Sequence, residues 1–207
     1  MLELSPLPEM KKRLAEIILK KSFAYSDNPP FTLTSGRTSN FYFNCKQTTL
    51  DPEGMNLIGE IIFEMLRDTD ITAAGGLTLG ADPIANALSL ISYQKGRPIK
   101  SFIVRKDIKG HGTKSVIEGD VKPGEKVVIL DDVITTGGST IRAIERAREA
   151  GLVIDRAVVL LDREEGGREN IREKGSVNRV DAVLTKTEIM ALFRGQDKGY
   201  YDKTDDQ

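Results

Sequence analysis

The stretch VVILDDVITTGGST, residues 127–140, joins an apolar run to two adjacent acids, a Thr/Gly/Ser loop and the start of a helical pattern. A short apolar run bounded by polar residues reads as a strand buried on both faces. Gly137 and Gly138 permit backbone conformations that turn successive N–H groups toward one point. Thr135, Thr136 and Ser139 add hydroxyls, and a helix beginning at Ser139 or Thr140 adds the positive end of its dipole. Residues 135–139 therefore read as a cradle for a phosphate monoester. Asp131 and Asp132, at the strand end, can accept hydrogen bonds from vicinal ribose hydroxyls. The plain alternative is an ordinary strand-to-helix turn with two solvated acids. The string contains neither G-x-x-x-x-G-K-[ST] nor G-x-G-x-x-G, so it is not a P-loop or a dinucleotide fingerprint.

On either side of this segment the chain alternates between strand and helix patterns. Upstream lie a weak strand at 71–77, a helix opened by Asp82 and Pro83 as N-cap and N1, and a strand at 99–105. A polar, Gly-containing loop spans 107–119 before the strand at 127–130. Downstream, the helix 140–150 ends at Gly151, a good residue for a left-handed stop. A strand at 157–161, a charged helical stretch, a strand at 181–184 and a short helix at 188–193 complete the pattern. Strands alternating with helices predict an α/β fold, a parallel sheet flanked by helices, with ligands beyond the carboxyl ends of its strands.

The first third breaks that rhythm. Met10, Leu14, Ile17 and Ile18 share one face of a helix. FTLTSGRTSNFYFN, residues 31–44, reads as a hairpin or short strands. Asp51 and Pro52 start a helix carrying Met55, Ile58, Ile61, Ile62 and Met65 on one side. With no repeat or linker to divide the chain, residues 1–207 read as a single domain. About 1–50 form a small N-terminal hood, about 51–195 an α/β core, and 196–207 a polar tail.

Composition narrows the partners. The 207 residues are 39% hydrophobic and 29% charged, and 30 basic residues nearly balance 31 acidic ones for a net charge of −1. Such a chain can bury a core, and nothing global points to nucleic acid or a membrane surface. No apolar run approaches the roughly 18–20 residues of a membrane span. The charged first residues do not read as a signal peptide, and the lone cysteine fits a reducing cytoplasm, the expected location. Cys45 is alone, which rules out an internal disulfide, and packing is its expected role. His111 is the one histidine.

The 127–140 string resembles the phosphoribosyl pyrophosphate (PRPP) signature of type I phosphoribosyltransferases. A second segment, Arg105-Lys106-Asp107-Ile108-Lys109-Gly110-His111-Gly112, reads alone as a solvated surface loop. Beside that signature it resembles the R-K-x-x-K-x-H-G loop of orotate phosphoribosyltransferases. FTLTSG at 31–36 with Ser39, GLTLGADP at 76–83 and LDREEG at 161–166 resemble the same family, in order over roughly residues 10–195.

That resemblance implies the roles that follow. Asp131 and Asp132 hold the ribose hydroxyls, Thr135, Thr136, Gly137, Gly138 and Ser139 hold the 5-phosphate, and Val133 and Ile134 belong to the same PRPP site. Arg105, Lys106, Lys109 and His111 close over the pyrophosphate and act in catalysis. Thr135 and Arg163 contact orotate, Arg163 pairing with its carboxylate through a forked hydrogen bond. A bland reading of Arg163 is an ion pair with Asp162, Glu164 or Glu165. Mg²⁺ is the implied cofactor, carried by PRPP rather than by a protein metal site. A homodimer with shared active sites is implied as well. Thr34 and Gly80 depart from some relatives, which carry Lys at both places, and no role is assigned to either. Two other functions compete: transfer to another base such as a purine, and a non-catalytic PRPP-sensing regulator. The cationic loop and the balanced charge argue against the second.

Overall fold

Helix α1 (Leu7–Lys21) forms as its periodicity predicts, with Met10, Leu14, Ile17 and Ile18 all buried. The computed structural model describes residues 7–26, 28–32, 38–106 and 116–194. Four short strands follow α1: β1 (Phe23–Tyr25), β2 (Phe31–Thr32), β3 (Thr38–Ser39) and β4 (Phe41–Phe43). β1 pairs antiparallel with β4 and β2 with β3, so the aromatic stretch is two small ribbons. The stretch between β2 and β3, including Thr34, Ser35 and Gly36, lies outside the described residues. Phe23 fixes the larger ribbon to the body, its ring centroid 5.3 Å from Phe43 and 4.9 Å from Phe193.

One turn of helix, α2 (Lys46–Thr49), leads into α3 (Pro52–Met65). Asp51 caps α3 by accepting the Gly54 N–H at 3.1 Å, and Pro52 takes the first helical position. The wholly buried strand β5 (Ala73–Leu77) precedes α4 (Asp82–Gln94). Here the expected cap moves by one residue: Ala81 is the N-cap and Asp82 is already helical. The Asp82 carboxylate accepts the Thr78 hydroxyl at 2.6 Å instead of a backbone N–H of its own helix.

β6 (Lys100–Val104) pairs antiparallel with β7 (Ile117–Glu118). The predicted 107–119 loop is thus shorter, because Ile117 and Glu118 join the sheet edge. Its roots touch, Arg105 N–H donating to Val116 O at 3.0 Å. Residues 107–115 lie outside the described residues.

β8 (Lys126–Ile134) runs four residues past the strand expected at 127–130 and carries both aspartates within it. After α5 (Gly138–Glu149), strand β9 (Val153–Asp162) lies beside β8 with Asp131 opposite Val159 and Ile134 opposite Asp162. That neighbour keeps the ladder bonded through the aspartates. α6 (Gly167–Lys174), β10 (Val180–Thr185) and α7 (Lys186–Arg194) close the described chain.

The six-stranded sheet has the order β10-β9-β8-β5-β6-β7, parallel except at the β7 edge. β8 alternates between two cores. Val128 and Leu130 pack with α1, α3 and α4, whereas Val127 and Ile129 pack with α5 and α6. From β5 the chain first moves outward to β6 and then returns to β8 on the other side. This reversal opens a crevice at the carboxyl ends of β5 and β8.

Candidate active site

The period-two alternation of β8 sends its two aspartates in different directions. Asp131 turns to the α5 side, is 5% exposed, and accepts the Thr140 hydroxyl at 2.7 Å. Burial pushes its carboxyl up to about 7, helped by the charge of Asp132 and opposed by the Thr140 hydroxyl and the Asp132 N–H. Asp132 is more open. Its Oδ1 accepts the Val133 N–H at 3.0 Å, and its Oδ2 lies 3.7 Å from the Lys46 ammonium.

Past Ile134 the chain wraps a cavity of about 290 Å³, lined by residues 133–139, Asp131 and Arg142. Gly137 is the N-cap of α5 at φ +81°, in the left-handed region. A Cβ there would also sit 2.7 Å from Ile171 Cγ1 and 2.9 Å from Gly167 O. Both conformation and space require glycine. Because α5 begins at Gly138, one or two residues earlier than expected, Thr140 turns inward to hold Asp131. The N–H groups of the first turn have no helical acceptors, the usual setting for an anion, and their residues line this cavity.

A second cavity of about 490 Å³ shares Asp131, Val133 and Ser139 with the first. Asp132, Lys46, Lys106, residues 42–45 and residues 77–80 complete its wall. The two spaces meet at Asp131, one bordered by the helix N-terminus and Arg142, the other by Asp132, Lys46 and Lys106.

Residues 53–183 match the family model described as the phosphoribosyl transferase domain. The orotate phosphoribosyltransferase of Aquifex aeolicus is 48% identical over 80% of this chain and 90% of its own length. That of Nostoc is 41% identical over 89% of this chain and 87% of its own. The chain belongs to the orotate phosphoribosyltransferase family. Its fold is that of the type I phosphoribosyltransferases. The Mycobacterium tuberculosis orotate phosphoribosyltransferase in complex with PRPP matches with a TM-score of 0.72 at 32% identity, over 87% of this chain and 99% of that one.

In this orotate phosphoribosyltransferase family member, Asp131 and residues 133–139 line the first cavity, and Asp132 lines the second. Ile134 borders it while packing its side chain in the core. Lys106 reaches the second cavity, but Arg105 borders neither. Its guanidinium pairs with Glu118 at 2.7 Å across the β6–β7 edge. Lys109 and His111 lie outside the described residues. Arg163 follows β9, and its N–H donates to Ile134 O at 3.0 Å, beside Thr135. Its side chain pairs with Glu165 at 3.0 Å, which matches the bland alternative for this residue. Even so, Arg163 Nε is buried with no hydrogen-bond partner.

Three residues at the site escaped sequence reasoning. Lys46 belongs to an N-terminal segment whose position over the sheet is not encoded locally. Arg142 was within reach, since it stands four residues after Gly138 and so one turn along the same helix face. No ion pair or hydrogen bond engages Arg142 among the described residues. Gly80 abuts the Asp132 carboxylate, where a Cβ would come within 2.5 Å of Oδ1. Cys45 packs in the core, and burial pushes its thiol far above the usual value, in keeping with a packing role.

Proposed function

We infer that the chain is an orotate phosphoribosyltransferase: it moves the 5-phosphoribosyl group of PRPP to orotate, giving orotidine 5′-monophosphate and pyrophosphate. This is a step of de novo pyrimidine (UMP) synthesis. The observation that carries the reading is the phosphate cradle of residues 135–139 joined by Asp131 and Asp132 to a second, lysine-bearing cavity.

The cradle takes the 5-phosphate through backbone N–H groups and the Thr135, Thr136 and Ser139 hydroxyls. Asp132 and Asp131 accept the ribose hydroxyls and fix the sugar. Orotate N1, deprotonated in the bound base, attacks the anomeric carbon as its bond to pyrophosphate oxygen breaks, so no protein base is required. The sugar gains oxocarbenium character and pyrophosphate gains negative charge. Positioning two substrates contributes on the order of 7–11 kcal/mol. Lys106 and, by family resemblance, Arg105, Lys109 and His111 stabilise the leaving group. Thr135 and Arg163 orient orotate.

Among the described residues no group of three or more His, Cys, Asp or Glu could hold a metal. Two carboxylates beside substrate oxygens nevertheless fit Mg²⁺, which keeps oxygen ligands and seldom uses an all-protein cage. Mg²⁺ bound to PRPP would neutralise part of the pyrophosphate charge, with Asp131 and Asp132 holding the sugar that carries it. The reading extends to a cytoplasmic homodimer with shared sites, built from single domains with hood, core and tail as delimited above. No helix among the described residues is long and apolar enough to cross a membrane.

The test is loss of orotate absorbance with PRPP and Mg²⁺, against adenine, hypoxanthine and uracil. Orotate alone should react. Turnover of a purine in its place would assign a different base, and no turnover of any base would leave the sensing reading standing.

A further inference from the structure

We propose that Lys46 binds the pyrophosphate end of PRPP, as a second cation beside Lys106 in the larger cavity. The inference rests on the phosphoribosyl-transfer reading and adds a residue to it.

Lys46 opens α2, directly after the β4 ribbon and Cys45. Its ammonium lies 3.7 Å from Asp132 Oδ2, beyond hydrogen-bond range, and half of its side chain is exposed. It is attracted to Asp132 without being tied to it. The other side of Asp132 is closed: Oδ1 holds the Val133 N–H at 3.0 Å, and Gly80 backs it so closely that a Cβ would stand 2.5 Å away. Lys46 therefore marks the open side of the carboxylate, the side from which a ribose hydroxyl can approach.

The two cavities fix the direction of the donor. PRPP carries its 5-phosphate and its pyrophosphate on opposite ends of one ribose. With the 5-phosphate in the cradle of residues 135–139 and the ribose on Asp131 and Asp132, the pyrophosphate falls in the 490 Å³ cavity. That space already borders two carboxylates, so a polyanion needs cations there. Arg105 is engaged with Glu118, which leaves Lys106 and Lys46 as the cations on its wall among the described residues. A lysine ammonium is a compact charge on a flexible stem and can swing from Asp132 to a phosphoryl oxygen.

Titrations of wild type, Lys46→Met and Lys46→Arg with Mg²⁺-pyrophosphate, PRPP, ribose 5-phosphate and orotate test this. Lys46→Met should weaken pyrophosphate and PRPP roughly 10- to 100-fold, the scale of one lost charge-assisted hydrogen bond. Ribose 5-phosphate and orotate should stay within about twofold, since neither carries the pyrophosphate that Lys46 touches. Lys46→Arg should recover most of the pyrophosphate affinity. Unchanged pyrophosphate binding in Lys46→Met overturns the proposal. An equal loss for ribose 5-phosphate overturns it too, since Lys46 would then act by placing Asp132. Loss for orotate alone would give the cation to the base. Should Lys46→Met fail to fold, Lys46→Gln is judged by the same titrations. If wild type binds no PRPP, the transfer reading fails and this inference with it. If wild type binds PRPP and the variants match it, only the role of Lys46 fails.

Discussion

Gly80 stands so close to Asp132 that a Cβ on it would lie 2.5 Å from Oδ1 and 3.0 Å from Cγ. The segment cannot simply retreat, because the Thr78 hydroxyl is bonded to Asp82 at 2.6 Å, at the start of α4. A methyl group at position 80 must therefore turn the Asp132 carboxylate aside, which a side-chain rotation allows without unfolding. Gly80→Ala should lower kcat/KM roughly 10²-fold, the cost of misplacing a site group by ~1 Å. The unfolding midpoint should hardly move. Wild-type kinetics in that variant would mean that Asp132 has room the geometry denies.

Asp131 makes stability depend on pH. Its folded-state carboxyl titrates near about 7, above its unfolded value of 3.8, because it is buried. A carboxyl raised on folding favours the folded state most when protonated, below the unfolded value, and that contribution is lost as pH rises through the folded one. Asp132 adds to the rise, and Thr140 opposes it. Asp131→Asn has no proton to lose there. Urea midpoints should show the variant gaining on wild type between about pH 4 and about pH 7. A constant difference across that range would show Asp131 ionised at both ends.

These two residues also show what was legible beforehand. The buried strand leading into two acids, the glycine turn into a helix and the α1 face are local patterns, written within a dozen residues each, and the described backbone carries all three. The extension of β8 through Asp131 to Ile134 depends on β9, which arrives some twenty residues later in the chain. Arg105 looked like a free cation because nothing local announced that Glu118 would return beside it in β7. Lys46 and Gly80 reach Asp132 from distant segments, and contacts of that kind are decided by tertiary packing. Sequence periodicity does not carry them.

Arg142 lines the phosphate cradle and has no carboxylate or carbonyl partner among the described residues. Arg142→Ala should weaken ribose 5-phosphate and PRPP roughly 10-fold, as for an exposed charge-assisted contact. Orotate should be unaffected. Calorimetric titration separates the ligands, and equal affinities in variant and wild type would leave Arg142 as a solvated side chain.

Arg163 has a guanidinium held by Glu165 and a buried Nε without a partner. Under the orotate reading, the ligand carboxylate reaches this Nε once the atoms covering it move aside, while Glu165 keeps its hold on the guanidinium. Arg163→Leu should weaken orotate about 10- to 100-fold and PRPP much less. Losses of equal size for both ligands would make the Glu165 pair its whole purpose and Arg163 structural.

The shared-site dimer has the most demanding test. The described residues on either side of 107–115 meet at one sheet edge, where Arg105 N–H bonds Val116 O at 3.0 Å. At its root Lys106 borders its own chain's cavity, whereas Arg105 borders neither cavity. Under the proposal Arg105 and Lys109 serve the neighbouring subunit's pyrophosphate, while Asp131 and Asp132 serve their own subunit's ribose. Lys109→Ala and Asp132→Asn proteins should each be nearly inactive alone. Mixed, they form hybrids in which one site carries both lesions and the other carries none. With random exchange half of the dimers are hybrids, each with one intact site of two, so activity should return to about a quarter of wild type. It should appear only as fast as tagged subunits exchange. Proven exchange without activity would confine the segment to its own chain, and recovery before exchange would point to contamination by active enzyme.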